Sequence, residues 1–522
     1  MRRTTSRRAA AAGMTGTEEP IGARSEQATR GPRHGPPCRL GRGVVLIVAA
    51  SALPGATWAA AHEINAAAPR GVAVQVEPVR AGAEADGGLD EVVAAALGAP
   101  ELPVMAAGLI DTIGGRLSGT PAGTRAEAWA AGWLRSFGFD SVWYDIARVP
   151  VWRRGELDVR VVAPGALSQR RIVAVAYGYS PGITADSVPL LDVGRGDPVA
   201  ITAAGRAANG AALLTDGVVT PAALDAARSA GAVAILRISF EPGRLPQARV
   251  APVEAPPAPL PLVSVSHEDG GWLRRQAAAG PLLLGLRVET ETRLATVGNV
   301  VAEWRGNDPE VGDEVVLLGA HLDAWDLGDG ALDNGTGVLA VMTAARALTA
   351  VGTRPRRSVR VVLFAAEELG LLGSRSYVRD HASGLANVVA MMNLDMVGAP
   401  QSYGATGHAE ADTLFARLTR TPGLRELEMS AEVNHGGGAG SDHQPFLLAG
   451  VPTIYVQTSL PEEAPRWYHN GADTMDKIDL EAVRGTGAAA AAAVWALADH
   501  AGRPLRHLTR EETRALVQRL GW

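Results

Sequence analysis

The chain has 522 residues, 47% of them hydrophobic and 20% charged, and a formal net charge of −6. That length is enough for two sizeable cores, and the acidic balance gives nucleic-acid binding no electrostatic support. Cys38 is the single cysteine, which excludes an intrachain disulfide and a thiolate zinc site, so any metal here is held by His, Asp and Glu.

Residues 1–42 are rich in arginine, an apolar run follows at 44–50, and small residues lead to Ala59-Ala60-Ala61. Basic start, short apolar core and small-residue exit read as a signal or targeting segment over 1–61. The apolar run is too short for a comfortable membrane span. The mature chain is therefore expected to be secreted or periplasmic, without stable membrane insertion. Residues 62–90, rich in Ala and Gly, read as a linker. Two helices are expected over 91–137, around the loop 115–121. The second shows helical apolar spacing at Ala126, Ala130, Trp133 and Leu134. A strand starts at about 139.

From 151 to 293 short β runs (159–162, 172–176, 211–214, 232–236) alternate with loops, and one helix fits over about 221–230. Prolines at 252, 256, 257, 259 and 261 forbid regular structure over 251–262. This stretch contains no ligand cluster and reads as an inserted, mostly β domain. Capping a cleft and carrying a homodimer contact are both open to it.

Residues 294–505 alternate strands (299–304, 314–320, 359–366, 388–395, 453–457) with helices (about 336–350, 370–381, 409–419, 479–500). The alternation predicts an α/β fold, with a mixed, mostly parallel sheet sandwiched by helices. Residues 91–150 complete this domain, and 506–522 close the chain as a terminal helix.

Charged clusters gather where these strands end. Glu367-Glu368 follow an apolar run, His321-Leu322-Asp323 ends the strand at 314–320, and Asn393-Leu394-Asp395 ends the strand at 388–395. Asp333-Asn334-Gly335 precedes the helix at 336, and Tyr468-His469 follows the last strand. In parallel sheets, ligands gather beyond the carboxyl ends of the strands. Paired buried carboxylates are costly unless a metal or a raised pKa relieves them. Alone, each cluster has an ordinary explanation, such as a helix N-terminal acidic pair for Glu367-Glu368. Together they supply enough ligands for two metals about 3.5–4 Å apart. The glycine-rich loop before Ser441-Asp442-His443 lacks the lysine of a phosphate-binding loop. It reads either as a turn or as a wall of the substrate pocket, with Asp442 at the substrate terminus. Asp473-Thr474 are expected to hold the His469 loop by hydrogen bonds.

As a set, these motifs resemble the two-zinc exopeptidases of the aminopeptidase and glutamate-carboxypeptidase type. The run 321–333, the stretch Arg116-Leu117-Ser118-Gly119 and residues 150–156 are similar to the plasma glutamate carboxypeptidase branch. Ser441-Asp442-His443-Gln444-Pro445-Phe446 is closer to bacterial aminopeptidases. The resemblance spans about residues 90–500, and the insertion is loosely similar to a protease-associated domain.

The resemblance implies a zinc-exopeptidase fold with two Zn2+ per chain. His321 and Asp395 would bind one ion, Glu368 and His469 the other, and Asp333 would bridge both. Glu367 would be the general base of a metal-bridged hydroxide mechanism, Asp323 would orient His321, and Tyr468 would donate to the oxyanion. A cis peptide is implied at Asp333-Asn334. The implied substrates are dipeptides or short peptides cut at a terminal bond, with the end attacked left open. Two competing readings remain, a single-zinc glutaminyl-cyclase-like acyltransferase and a catalytically dead binding scaffold. A serine esterase would need a G-x-S-x-G elbow near the clusters, and none is there.

Overall fold

The computed structural model describes residues 87–522. The segment expected over 1–61 lies outside the described residues. So does the expected linker 62–90, except where a helix, Gly87–Leu97, begins. The described residues form the strands β1 (Ser141–Ala163), β2 (Ala174–Ala176), β3 (Ile183–Asp192), β4 (Ala212–Thr215), β5 (Ala234–Ile238), β6 (Leu262–Val265), β7 (Leu283–Trp304), β8 (Val315–His321), β9 (Ser358–Phe364), β10 (Val388–Asn393), β11 (Ala399–Ala405) and β12 (Thr453–Ser459). They join in the order β11-β12-β10-β8-β9-β7-β3-β4-β5-β6-β2, with β1 paired to β7. Strands β9, β8, β10 and β12 run parallel to one another. β7 and β11 flank them antiparallel. The sheet is mixed and mostly parallel, as the alternation of elements predicts.

Side-chain alternation along the central strands builds the layers. Val316, Leu318, Val361 and Leu363 face one apolar layer, made by the helices Thr336–Ala350 and Leu480–Ala498. Leu317, Val362 and Phe364 point the other way, onto Tyr377 and Phe446 of the helices Leu372–Asp380 and His443–Leu448. Strands covered on both faces read as continuous apolar runs, which is why β8, β9 and β10 stand out in the sequence. The helix Leu480–Ala498 packs closely on its neighbour. A Cβ at Gly487 would come within 2.8 Å of the Thr343 side chain. With both faces sealed, the loops at the carboxyl ends of β8, β9, β10 and β12 are the place where polar groups converge.

β11 is not legible in the sequence because Pro400 and Gly404 interrupt its β pattern. Its position at the end of the sheet order tolerates them. The stretch 151–293 carries β2–β6 together with the helices Pro198–Ala203, Pro221–Ser229 and His267–Ala279. Its strands β3, β4, β5 and β6 pair in parallel. The long ribbon of β1 and β7 ties this segment to the rest of the chain. The core of the segment takes in Trp325, Ala366 and Leu369 from the other half of the molecule. No single helix among the described residues is long and apolar enough to cross a membrane.

Candidate metal centre

His321 is the last residue of β8. Its Nδ1 lies 3.0 Å from the Asp323 carbonyl oxygen, and a carbonyl only accepts. Nδ1 therefore carries the proton and Nε2 turns its lone pair inward. His469 repeats this arrangement, with Nδ1 3.2 Å from the Ala248 carbonyl oxygen. His321 Nε2 is 3.2 Å from Asp333 Oδ1 and 3.3 Å from Asp395 Oδ1. His469 Nε2 is 3.0 Å from Asp333 Oδ2 and 3.1 Å from Glu368 Oε2.

Each inward nitrogen thus confronts two carboxylate oxygens. A neutral imidazole protonated at Nδ1 repels them, so the arrangement calls for a cation between: a second proton or a metal ion. Two donor groups result, His321–Asp333–Asp395 and Asp333–Glu368–His469, each with its ligand atoms within 4.8 Å of one another. Asp333 turns one oxygen toward each histidine. Glu368 Oε1 is buried and makes no hydrogen bond, which leaves a donor atom free for a metal. Imidazole and carboxylate ligands without thiolate suit zinc. The residues fit the metal that the sequence pattern implies.

The supporting contacts explain why these loops hold their shape. Arg116 is fully buried and spends its donors on backbone carbonyls. Nε donates to Leu322 O at 2.7 Å, Nη1 to Asp329 O at 2.9 Å and Gly114 O at 3.2 Å, and Nη2 to Gly330 O at 2.9 Å. Burial lowers its pKa to about 10, against the fields of Asp473, Asp323, Asp333 and Glu368. It remains a cation at neutral pH. Asp473 accepts the Leu332 and Asp333 amides at 2.6 and 3.0 Å. Its carboxylate therefore holds the bridging aspartate's turn rather than the His469 loop that the sequence spacing suggests.

Asn334 follows a cis peptide bond after Asp333. Its Nδ2 donates to Leu394 O at 3.0 Å, and its Oδ1 accepts the Met396 amide at 3.0 Å, so it ties the turn to both flanks of Asp395. Ala366, Met396 and His469 all have positive φ, at 55°, 51° and 57°. This conformation costs a non-glycine residue roughly 1–2 kcal/mol and persists where the surroundings over-determine it. Ser118 supplies one such contact, its Oγ accepting the Ala366 amide at 2.8 Å.

The remaining expected residues fall as follows. The Asp323 carboxylate is 3.9 Å from His321 Nδ1, too far for the expected hydrogen bond. Its backbone carbonyl orients the ring, and Oδ1 accepts the Glu367 amide at 3.1 Å. Glu367 is half-buried. Burial raises its pKa, His321 opposes this, and Glu368 and Asp395 reinforce it, so the carboxyl sits well above its usual range. Tyr468 stacks on the His469 ring with centroids 3.6 Å apart. Burial and the fields of Asp333 and Glu368 hold its hydroxyl protonated, as a donor. Asp442, weighed as a substrate contact, is completely buried. Neither of its carboxylate oxygens has a hydrogen-bond partner among the described residues, and burial pushes its pKa up to about 7. The sequence marked Arg116 only as part of a resemblance and did not single out Asn334 as a support.

Chelation should expose the electrostatics. Burial lowers the His469 pKa, but Glu368 and Asp333 outweigh it and lift it to about 9. Burial lifts Glu368 to about 7 despite His469. Both groups hold a proton more tightly when folded than when unfolded. Their stabilising contribution is therefore full at low pH and is lost as pH rises through 7 and 9. Zinc-free protein should melt at a lower temperature at pH 9 than at pH 6, and zinc should remove most of that difference. Thermal melts with and without chelator check it, and an equal slope in both would contradict it.

Residues 299–494 match the profile of Peptidase family M28. Human carboxypeptidase Q is 28% identical over 410 residues, spanning 75% of this chain and 83% of that protein. The crystal structure of a peptidase M28 precursor from Shewanella amazonensis superposes with a TM-score of 0.70 at 27% identity, covering 81% of this chain and 98% of that one. A zinc aminopeptidase from Bacillus subtilis shares the fold, with a TM-score of 0.63 at 24% identity over 80% of this chain and 98% of that one. Over residues 299–494 the chain resembles the M28 peptidases, and it is a zinc metallo-exopeptidase.

Proposed function

We propose that this chain is an exported di-zinc exopeptidase that hydrolyses dipeptides or short peptides, with Glu367 as general base. The observation that carries the reading is the Asp333 carboxylate set between His321 and His469, with one oxygen toward each. His321 and Asp395 would hold one zinc, Glu368 and His469 the other, and Asp333 both. Zinc bound there supplies Lewis acidity toward the scissile carbonyl and toward water.

The chain's own residues do the rest. Glu367, aimed by the Asp323 bond to its amide, takes a proton from the attacking water and delivers it to the leaving amine. Tyr468 donates its hydroxyl hydrogen to the developing oxyanion. Export is supported by the basic and then apolar order of residues 1–61.

Arg249 favours substrates with a free carboxylate. It comes from the inserted segment, and its field reaches Tyr468. Its Nη2 lies 3.4 Å from Gln247 Oε1. Its Nε is buried without a hydrogen-bond partner, and it forms no ion pair among the described residues. A half-buried guanidinium with no carboxylate partner among the described residues, at the rim of a hydrolytic centre, suits the carboxylate end of a dipeptide.

Zinc content and a panel of dipeptides with their C-terminal amides test the proposal. About two zincs per chain are expected. The free acids should be cut roughly 10- to 100-fold faster than the amides, the range of a charge-assisted hydrogen bond. Arg249→Ala should bring that ratio toward one. Cleavage confined to internal bonds would sink the exopeptidase reading, and one zinc per chain with cyclase activity would favour acyl transfer.

A further inference from the structure

The roles assigned above to the metal ligands leave the inserted segment without a part in holding them, yet its residues touch the candidate centre. After β5 the chain loops outward and returns through Gln247 and Ala248, both buried. The return is anchored to the inserted sheet. The Gln247 amide donates to Ser239 Oγ at 3.2 Å, and Ser239 Oγ shares a hydrogen bond with Ser264 Oγ at 2.9 Å. The Gly178 amide donates to Arg249 O at 2.7 Å. From this anchored strip three hydrogen bonds cross to the Tyr468–His469 loop. The Ala248 amide donates to His469 O at 2.7 Å. The His469 Nδ1 hydrogen is donated to Ala248 O at 3.2 Å, and Gln247 Nε2 donates to Tyr468 O at 3.3 Å.

The two histidines are therefore held differently. His321 leans on the carbonyl of Asp323, two residues along its own chain, and its partners Asp333 and Asp395 are tied down by Asp473 and Asn334. His469 sits in a loop with φ of 57°, a conformation that needs outside support. The hydrogen bonds that set its ring tautomer and its backbone both come from Ala248. Rings pack around it as well, Trp325 edge-on at 5.8 Å and Tyr468 stacked at 3.6 Å, but rings fix neither the tautomer nor the peptide.

We propose that Gln247 and Ala248 are positioning residues for one of the two metals: the ion held by Glu368 and His469 depends on the docked inserted segment, and the ion held by His321 and Asp395 does not. This rests on the ligand assignment under Proposed function. Partners that orient a metal-bound histidine change metal affinity by roughly 10- to 100-fold when lost.

The test is a zinc titration of the chelated full-length protein, read by calorimetry and by metal content. The variants are Ala248→Pro, which removes the amide donor, Gln247→Ala, and Leu236→Ala as a control. Leu236 is a core side chain of the inserted segment and makes none of the three hydrogen bonds to the loop. Ala248→Pro should weaken one of the two binding events roughly 10- to 100-fold and leave the other in place. Gln247→Ala should weaken the same event by less. Leu236→Ala should lower the melting temperature and move neither affinity. Wild-type affinities in both loop variants, or equal weakening of both events, would overturn the proposal. If Ala248→Pro does not fold, Gln247→Ala carries the test. Fewer than two zincs on the wild-type protein would instead defeat the ligand assignment itself and take the proposal down with it.

Discussion

Glu367→Gln should lower kcat on a dipeptide by roughly 10²- to 10⁴-fold, the usual contribution of a general base, and should keep its zinc. Gln preserves the shape of the side chain, and the Asp323 bond that aims the turn is made to the residue 367 amide, not to its side chain. The ligand atoms of Asp333, Glu368, His469, His321 and Asp395 are all untouched. What disappears is the atom that accepts a proton from water and returns it to the amine. KM should change little, because the substitution removes no substrate contact in the ground state. The substitution should also raise the melting temperature of the chelated protein. Burial disfavours the Glu367 charge, His321 favours it, and the fields of Glu368, Asp395 and Asp442 add to the cost. Removing it relieves repulsion at a site that gives up stability for activity. Steady-state kinetics, metal analysis and melts on one preparation check all three. Activity within about tenfold of wild type, or loss of zinc, would remove Glu367 from the role of base.

Arg116→Met should be the most damaging substitution remote from the reacting atoms. Met keeps much of the apolar volume but leaves the carbonyls of Gly114, Leu322, Asp329 and Gly330 without their donor. It also removes the cation that faces Asp473, Asp323, Asp333 and Glu368 from behind. Losing one partner of a buried charged network costs on the order of 3–5 kcal/mol. Because Arg116 holds the loop between Leu322 and Gly330, zinc affinity should fall along with stability. Arg116→Lys should recover only part of either, since an ammonium restores the charge but not the planar fork that reaches separate carbonyls. Urea unfolding of the zinc-loaded and chelated forms measures the effect. A loss under about 1 kcal/mol would show that water replaces the guanidinium, and the clamp would then carry little.

Most of the candidate centre was legible because its chemistry is local. His321, Glu367-Glu368 and Asp395 each follow an apolar run that only a buried strand explains. Asp333 and His469 complete a ligand inventory that the lone Cys38 had already confined to His, Asp and Glu. The fold was legible for a related reason. β8, β9 and β10 are buried on both faces, and the helix Leu480–Ala498 is almost wholly apolar. β11 was hidden by Pro400 and Gly404, residues that an edge position tolerates and a central one does not. The helix His267–Ala279 was hidden by a polar, glycine-containing sequence whose N-terminal cap, Ser266 to the Asp269 amide, is visible only in the structure.

The sequence by itself determined which atoms are available to bind metal and on which edge of the sheet they gather, because strand periodicity and residue type are properties of short segments. Only the tertiary structure decided how those atoms are aimed. The Asp323 carbonyl, not its carboxylate, sets the His321 ring. Asp473 holds the bridging turn. Arg116 joins carbonyls more than 200 positions away in the chain, and Ala248, also more than 200 positions away, supports His469. Hydrogen bonds of that sequence separation are set by how layers pack, and no local pattern of residues records them.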